Sequence, residues 1–131
     1  TLIQLENFPS IADSADRFPK YQANMRALYA GRHEVFAAAR EAGVRIYAGT
    51  DAGGFIGHGR IVDDVEALAG IGFTNAEALA AASTAPRGWL GVGGLEHGAR
   101  ADFLVLDADP TVDLQTLRAP RHVVCSGLQL L

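Results

Sequence analysis

A single acidic side chain, Asp51, follows the apolar run "VRIYAGT" and precedes "AGGFIGHG", a loop with four glycines. A carboxylate in that place has three possible jobs: metal ligand, general base, or cap of the next helix. Gly53, Gly54, Gly57 and Gly59 strip side chains from around it, which lets a ligand come close to the backbone; the same glycines would also serve simple turns. His58 lies in the same loop, where an imidazole could donate to a substrate, ligate a metal, or stand in solvent. The remaining histidines are dispersed: His33 beside Glu34 in a helical stretch, His97 in a turn, His122 at the start of a strand. No His-x-His or His-Glu-x-x-His is present. A zinc site needs three or four protein ligands, so any metal here must be held mostly by residues outside the 131 of this sequence.

Other chemistries fail on spacing. The glycine loop has no Gly-Lys-Ser/Thr after the gap a phosphate-binding loop requires, and it is not Gly-x-Gly-x-x-Gly. Asp107, Asp109 and Asp113 in "DADPTVD" lack the glycine and distal glutamate of a calcium loop and read as a solvated turn. Ser83 and Ser126 have no nucleophile-elbow context. Trp89 reads as a packing residue at a helix end.

The elements that would position Asp51 follow from periodicity. "TLIQLENF" reads as a strand, and "PSIADSADRFPK" as a loop bracketed by Pro9 and Pro19. Met25, Leu28, Tyr29, Phe36 and Ala39 recur at helical spacing, with Gly31 a point where the helix kinks or splits. Arg40 and Gly43 mark its end. "VRIYAG" alternates as a strand and carries Asp51 at its C-terminal tip, on the Tyr47 side. Ile61, Val65 and Leu68 define a helix face closed by Gly70. Thr74 and Glu77 fit a capping box that opens a further helix, with Ala76, Leu79 and Ala80 as its buried stripe. "ADFLVLDA" reads as a strand, "DPTVDLQTLRAP" as turn and loop, and "HVVCSGLQLL" as two short strands about a Ser126-Gly127 turn. Two βα units of this kind cannot close a barrel, which takes about 250 residues. The expected fold is therefore α/β: residues 1–90 are the last two βα units of a (β/α)8 TIM barrel, and residues 91–131 are strands of a small β-sandwich. The sequence is expected to begin inside a longer polypeptide and to form its C-terminal part, with the remainder of that polypeptide as its partner.

Composition narrows the partners. The net charge is −4, without a cluster of Lys and Arg, which excludes nucleic acid and anionic membrane. No apolar run approaches the ~18 residues of a membrane span. The one cysteine, Cys125, forbids an internal disulfide and is compatible with a reducing, cytoplasmic setting.

Taken in order, three stretches resemble the C-terminal part of the amidohydrolase superfamily, in the branch of imidazolonepropionase and Xaa-Pro dipeptidases. "EAGVRIYAGTDAGG" is similar to its eighth barrel strand, with Gly-Thr-Asp. "HGRIVDDVEALAGIGFTNAEALAAASTAPRGWLGV" is similar to its last barrel helices, and "GLEHGARADFLVLDADP" to its return into a β-sandwich. "TLIQLENF" would then be the seventh strand. The resemblance implies a hydrolase of carbon–nitrogen bonds using one or two divalent metal ions, usually zinc, on a small-molecule substrate. It implies that Asp51 ligates the metal and takes the proton from the water the metal activates, that Gly49 and Thr50 complete the motif, and that His58, Gly53 and Gly54 face the substrate. The family's ligands on strands one, four, five and six have no counterpart in these residues, so the chain alone is expected to be inactive and to associate, the parent being a homo-oligomer. Two alternatives remain: a non-catalytic half-barrel assembly module, and a deaminase of the same superfamily.

Overall fold

The structure, a computed structural model, describes residues 1–131. Six α-helices come first: α1 (Leu2–Leu5), α2 (Phe8–Asp13), α3 (Pro19–Glu41), α4 (Ile61–Gly70), α5 (Asn75–Ala81) and α6 (Thr84–Trp89). Strand β1 (Phe103–Val105), a 3-10 helix (Leu114–Arg118), β2 (His122–Cys125) and β3 (Leu128–Gln129) follow. The chain is thus mixed α/β, with one three-stranded antiparallel sheet in the order β1-β2-β3.

The core forms where α1, α4, α5 and the 3-10 helix converge. Val65 and Leu68 of α4 are sealed from solvent, and Leu2, Ile71, Ala78, Ala81 and Leu114 pack with them. Burial on α4 falls on Val62, Val65 and Leu68, while Ile61, expected on that face, is exposed. The capping box opening α5 is formed in both directions: Thr74 Oγ1 accepts from the Glu77 N–H and Glu77 accepts from the Thr74 N–H. The buried stripe of α5 is Ala78 and Ala81, not Ala76, Leu79 and Ala80; Ala76 is exposed. A seven-residue helix buries the two small side chains that let it lie close on α4.

Two segments depart from the local pattern. "TLIQLENF" contains a helix rather than a strand, because a buried carboxylate, Asp64, accepts the N–H groups of Leu2 and Ile3 at 2.8 and 3.1 Å. These are first-turn donors that a helix leaves without an internal partner, so a tertiary acceptor overrides the β propensity of the side chains. The bracketed "loop" from Pro9 to Lys20 holds α2 and the start of α3, each with proline in its first turn, where a missing N–H costs nothing. Helix α3 runs through Gly31 unbroken and ends as expected, with Arg40 in its last turn and Gly43 beyond the cap.

Val44–Thr50 pairs with no strand. Its parity is nonetheless that of a strand with one inner face, since Ile46 and Ala48 pack against the core. A strand requires a neighbour for its ladder, and these 131 residues provide none; the Ala48 N–H goes instead to the Ala81 carbonyl at 3.0 Å.

The C-terminal hairpin follows its sequence. Phe103 pairs with Val124, Leu104 with Val123, and Val105 with His122; Cys125 pairs with Leu128. Ser126 and Gly127 both have positive φ, 52° and 78°, as a two-residue hairpin turn of the primed kind demands. Asp102 locks the turn by accepting the Ser126 N–H at 2.8 Å. That bond, with Arg100 and Arg87 beside it, holds the Asp102 carboxyl below the usual carboxylate range. The segment before β2, expected as turn and loop, contains the 3-10 helix capped by Asp113.

The accessible surface is 8436 Å², against about 6,600 Å² for a compact monomer of this mass. Large apolar side chains are among the exposed ones: Phe55, Leu95 and Val112 are more than three-quarters exposed, and Trp89 and Leu90 nearly two-thirds.

Candidate functional site

Asp51 stands at the tip of the extended segment Val44–Thr50. Its φ is +52°, a left-handed conformation uncommon for a residue with a side chain. Its side chain is exposed and takes part in no hydrogen bond or ion pair. The backbone immediately before it, by contrast, is fixed. The Ala48 N–H is bonded to Ala81 as described, the Gly49 N–H donates to Asp64 Oδ2 at 3.0 Å, and Thr50 Oγ1 accepts from the Ala52 N–H at 3.2 Å. The carboxylate is thus unengaged, in a left-handed backbone state, on a support held by hydrogen bonds.

The glycine loop is shaped by two turns. Gly53, at φ +116°, donates its N–H to the Ile56 carbonyl at 3.1 Å, and Gly59 sits at φ +84°. At both, an L side chain would be strained. Gly54 has ordinary φ and nothing within 4 Å of where a Cβ would stand, so its lack of a side chain only opens space. Ile56 is buried and anchors the loop, while Phe55 beside it is exposed. His58 is exposed and has no hydrogen-bond partner; Asp51, Gly53 and Gly54 share the first turn, and His58 lies in the second. Two clefts meet at Phe55, one of about 340 Å³ bounded by Ile11, Phe18 and Tyr21, the other of about 500 Å³ bounded by His33, Arg60 and Asp63. Asp51 lines neither.

Beyond the loop, Asp63 and Glu66 are engaged in ion pairs. The Arg60 and then the Arg118 guanidinium hold the Asp63 carboxyl below the usual carboxylate range. Arg118 reaches Asp63 at 2.7 Å and Glu66 at 2.8 Å, which ties the 3-10 helix to α4. These pairs tie elements together and occupy the Asp63 and Glu66 carboxylates. No three His, Cys, Asp or Glu side chains cluster in a way that would hold a metal ion. Asp51, with both oxygens unengaged, has the chemistry of a single metal donor, and no two further His, Cys, Asp or Glu side chains group with it.

Sequence reading passed over Asp64. It is the one buried charged side chain, 1% exposed, and it joins α1, α4 and the segment leading to Asp51. The signal was present: Asp64 falls between Ile61 and Leu68 on the helix face read as apolar, and a polar residue in a buried stripe asks for partners.

Among known proteins, the chain is 54% identical over 127 residues to proteins of Mycobacterium tuberculosis and Mycobacterium bovis that are named only as uncharacterized. It spans about a third of their length, 97% of this chain against 34% of theirs. In structure it is similar to a candidate prolidase from Bifidobacterium longum, with a TM-score of 0.75 at 35% identity over 84% of this chain and 28% of that one. It is also similar to an Xaa-Pro dipeptidase with methionine bound in the active site, with a TM-score of 0.79 at 25% identity over 98% of this chain and 33% of that one. No helix is long and apolar enough to cross a membrane. Residues 11–129 match the amidohydrolase family, and the chain belongs to that family.

Proposed function

We propose that this chain is the C-terminal part of a metal-dependent amidohydrolase that cleaves carbon–nitrogen bonds in dipeptides or cyclic amides. In this reading residues 1–90 are the last part of the barrel and residues 91–131 contribute strands to a composite β-sandwich. The observation that carries it is the state of Asp51: an unengaged carboxylate, at φ +52°, on a support fixed by two inter-element hydrogen bonds. The family match across residues 11–129 and the likeness to an Xaa-Pro dipeptidase supply the chemical class. The excess accessible surface supports docking against further polypeptide, in the same chain and in a homo-oligomer. The lone exposed thiol of Cys125 suits a cytoplasmic setting.

Members of this family generally use divalent metals. When bound, such an ion, zinc in this reading, polarises the scissile carbonyl and lowers the pKa of the attacking water. Asp51 contributes one ligand. It accepts the proton released as water oxygen bonds to the carbonyl carbon, then returns that proton to the nitrogen as the C–N bond breaks, so that an amine leaves and a carboxylic acid remains. Gly53 and Gly54 leave the backbone beside Asp51 open to the substrate, and His58 donates a hydrogen bond to it. The 131 residues alone are inactive in this reading, because the other ligands lie elsewhere.

The test is metal analysis of the intact polypeptide, followed by a panel of Xaa-Pro dipeptides, other dipeptides, cyclic amides and amino-heterocycles. One or two equivalents of divalent metal and amine release from an amide are expected. Ammonia release from the heterocycles alone would make it a deaminase, and a metal-free protein inert to the whole panel would leave a non-catalytic assembly module.

A further inference from the structure

Two separate parts of the chain converge on the buried carboxylate of Asp64, which α4 carries. Oδ1 accepts the Leu2 and Ile3 N–H groups of α1, and Oδ2 accepts the Gly49 N–H at 3.0 Å. Asp64 lies on α4, just past the glycine loop, and Gly49 lies just before it. The Gly49 bond therefore closes the neck of the loop that carries Asp51, Gly53, Gly54 and His58. With the Ala48–Ala81 bond beside it, it fixes the backbone two residues ahead of Asp51, which itself occupies a backbone state that surrounding structure must impose.

We infer that Asp64 is a positioning residue for Asp51: its carboxylate clamps the entry of the loop and sets where the Asp51 oxygens point. The inference rests on the function proposed above. A carboxylate suits the task because it accepts on both oxygens and donates nothing, and three backbone donors face it. An asparagine can serve one side only. Its NH2 group would confront either Gly49 or the start of α1, leaving a buried donor without an acceptor. Hydrogen-bonding groups that orient a ligand from behind are typically worth about 10- to 100-fold in metal affinity or activity.

The experiment compares Asp64→Asn, Asp64→Glu and Asp51→Asn with wild type in the intact polypeptide. Three readouts are taken: kcat and KM, zinc affinity by chelator competition, and hydrogen exchange at the Gly49 amide. Asp64→Asn is expected to lower kcat about 10- to 100-fold with KM little changed, to weaken zinc binding by a similar factor, and to release exchange at Gly49 or at Leu2 and Ile3, whichever side its NH2 group faces, while the amides of α5 stay protected. Asp64→Glu, which keeps the acceptors on a longer stem, should recover part of each. Wild-type kcat and zinc affinity in a folded Asp64→Asn, whichever of these amides is released, would overturn the inference. If Asp64→Asn does not fold, Asp64→Glu decides: reduced kcat in a folded protein supports positioning, whereas wild-type kcat, or failure of both variants to fold, assigns Asp64 to the core alone. If Asp51→Asn retains turnover and zinc, the proposed function has failed; if it loses them while Asp64→Asn does not, only the positioning role has.

Discussion

Asp51 carries two independent marks, one in sequence and one in structure. It is the acid at the end of an apolar alternation, and it is held at φ +52° with its oxygens free. A glycine would satisfy that backbone better. The left-handed state costs an L residue roughly 1–2 kcal/mol, and glycine's looser unfolded chain offsets roughly half of that. Asp51→Gly should therefore leave the intact protein as stable as wild type, or up to about 1 kcal/mol more stable, while abolishing turnover. A fall in its unfolding midpoint would mean that the side chain is there for the fold. Asp64 shows the limit of sequence reading at this scale. Its partners are backbone N–H groups up to 62 positions away, and no side-chain pattern encodes such donors. The turn glycines Gly53 and Gly59 were legible because their reason, a positive φ, is local.

Among the elements, those with a self-contained signal emerged as read: α3 with its terminal Arg40 and Gly43, α5 with its capping box, and the hairpin about Ser126-Gly127. Those decided by a distant partner did not. Helix α1 depends on Asp64, and the Val44–Thr50 segment lacks the neighbour that would make it a strand. The join between α4 and the 3-10 helix is of the same long-range kind, and pH exposes it. Asp63 is held below its ordinary pKa of 3.8 by Arg60 and Arg118. A depressed carboxyl contributes stability that is fully present above its unfolded pKa and is lost as pH falls through the folded value. Asp63→Asn should thus unfold at lower temperature than wild type at neutral pH, with the two midpoints converging as pH drops below about 3.8. A constant gap down to pH 2.5 in thermal scans would contradict that linkage.

On the scale of the whole molecule, the surface exceeds that of a compact monomer, 8436 Å² against about 6,600 Å². The difference, about 1,800 Å², is roughly twice the ~800 Å² that each partner buries in a standard interface. Exposed Phe55, Trp89, Leu90 and Leu95 form the apolar part of what such an interface would cover. The isolated 131-residue chain should therefore associate in sedimentation at micromolar concentration and bind zinc weakly; a clean monomer with a tight stoichiometric zinc would contradict both expectations. Family membership was readable because Gly-Thr-Asp, the helical stretch after it and the return strand stand in one order, whereas the clefts about Phe55 were not, since they join segments distant in sequence. The most direct measurement is kcat/KM of the intact polypeptide, wild type against Asp51→Asn, on its best amide substrate. An amide in place of the carboxylate cannot accept the proton, and a loss of about 10²- to 10⁴-fold with an unchanged unfolding midpoint is predicted. Activity within a few-fold of wild type would contradict the account.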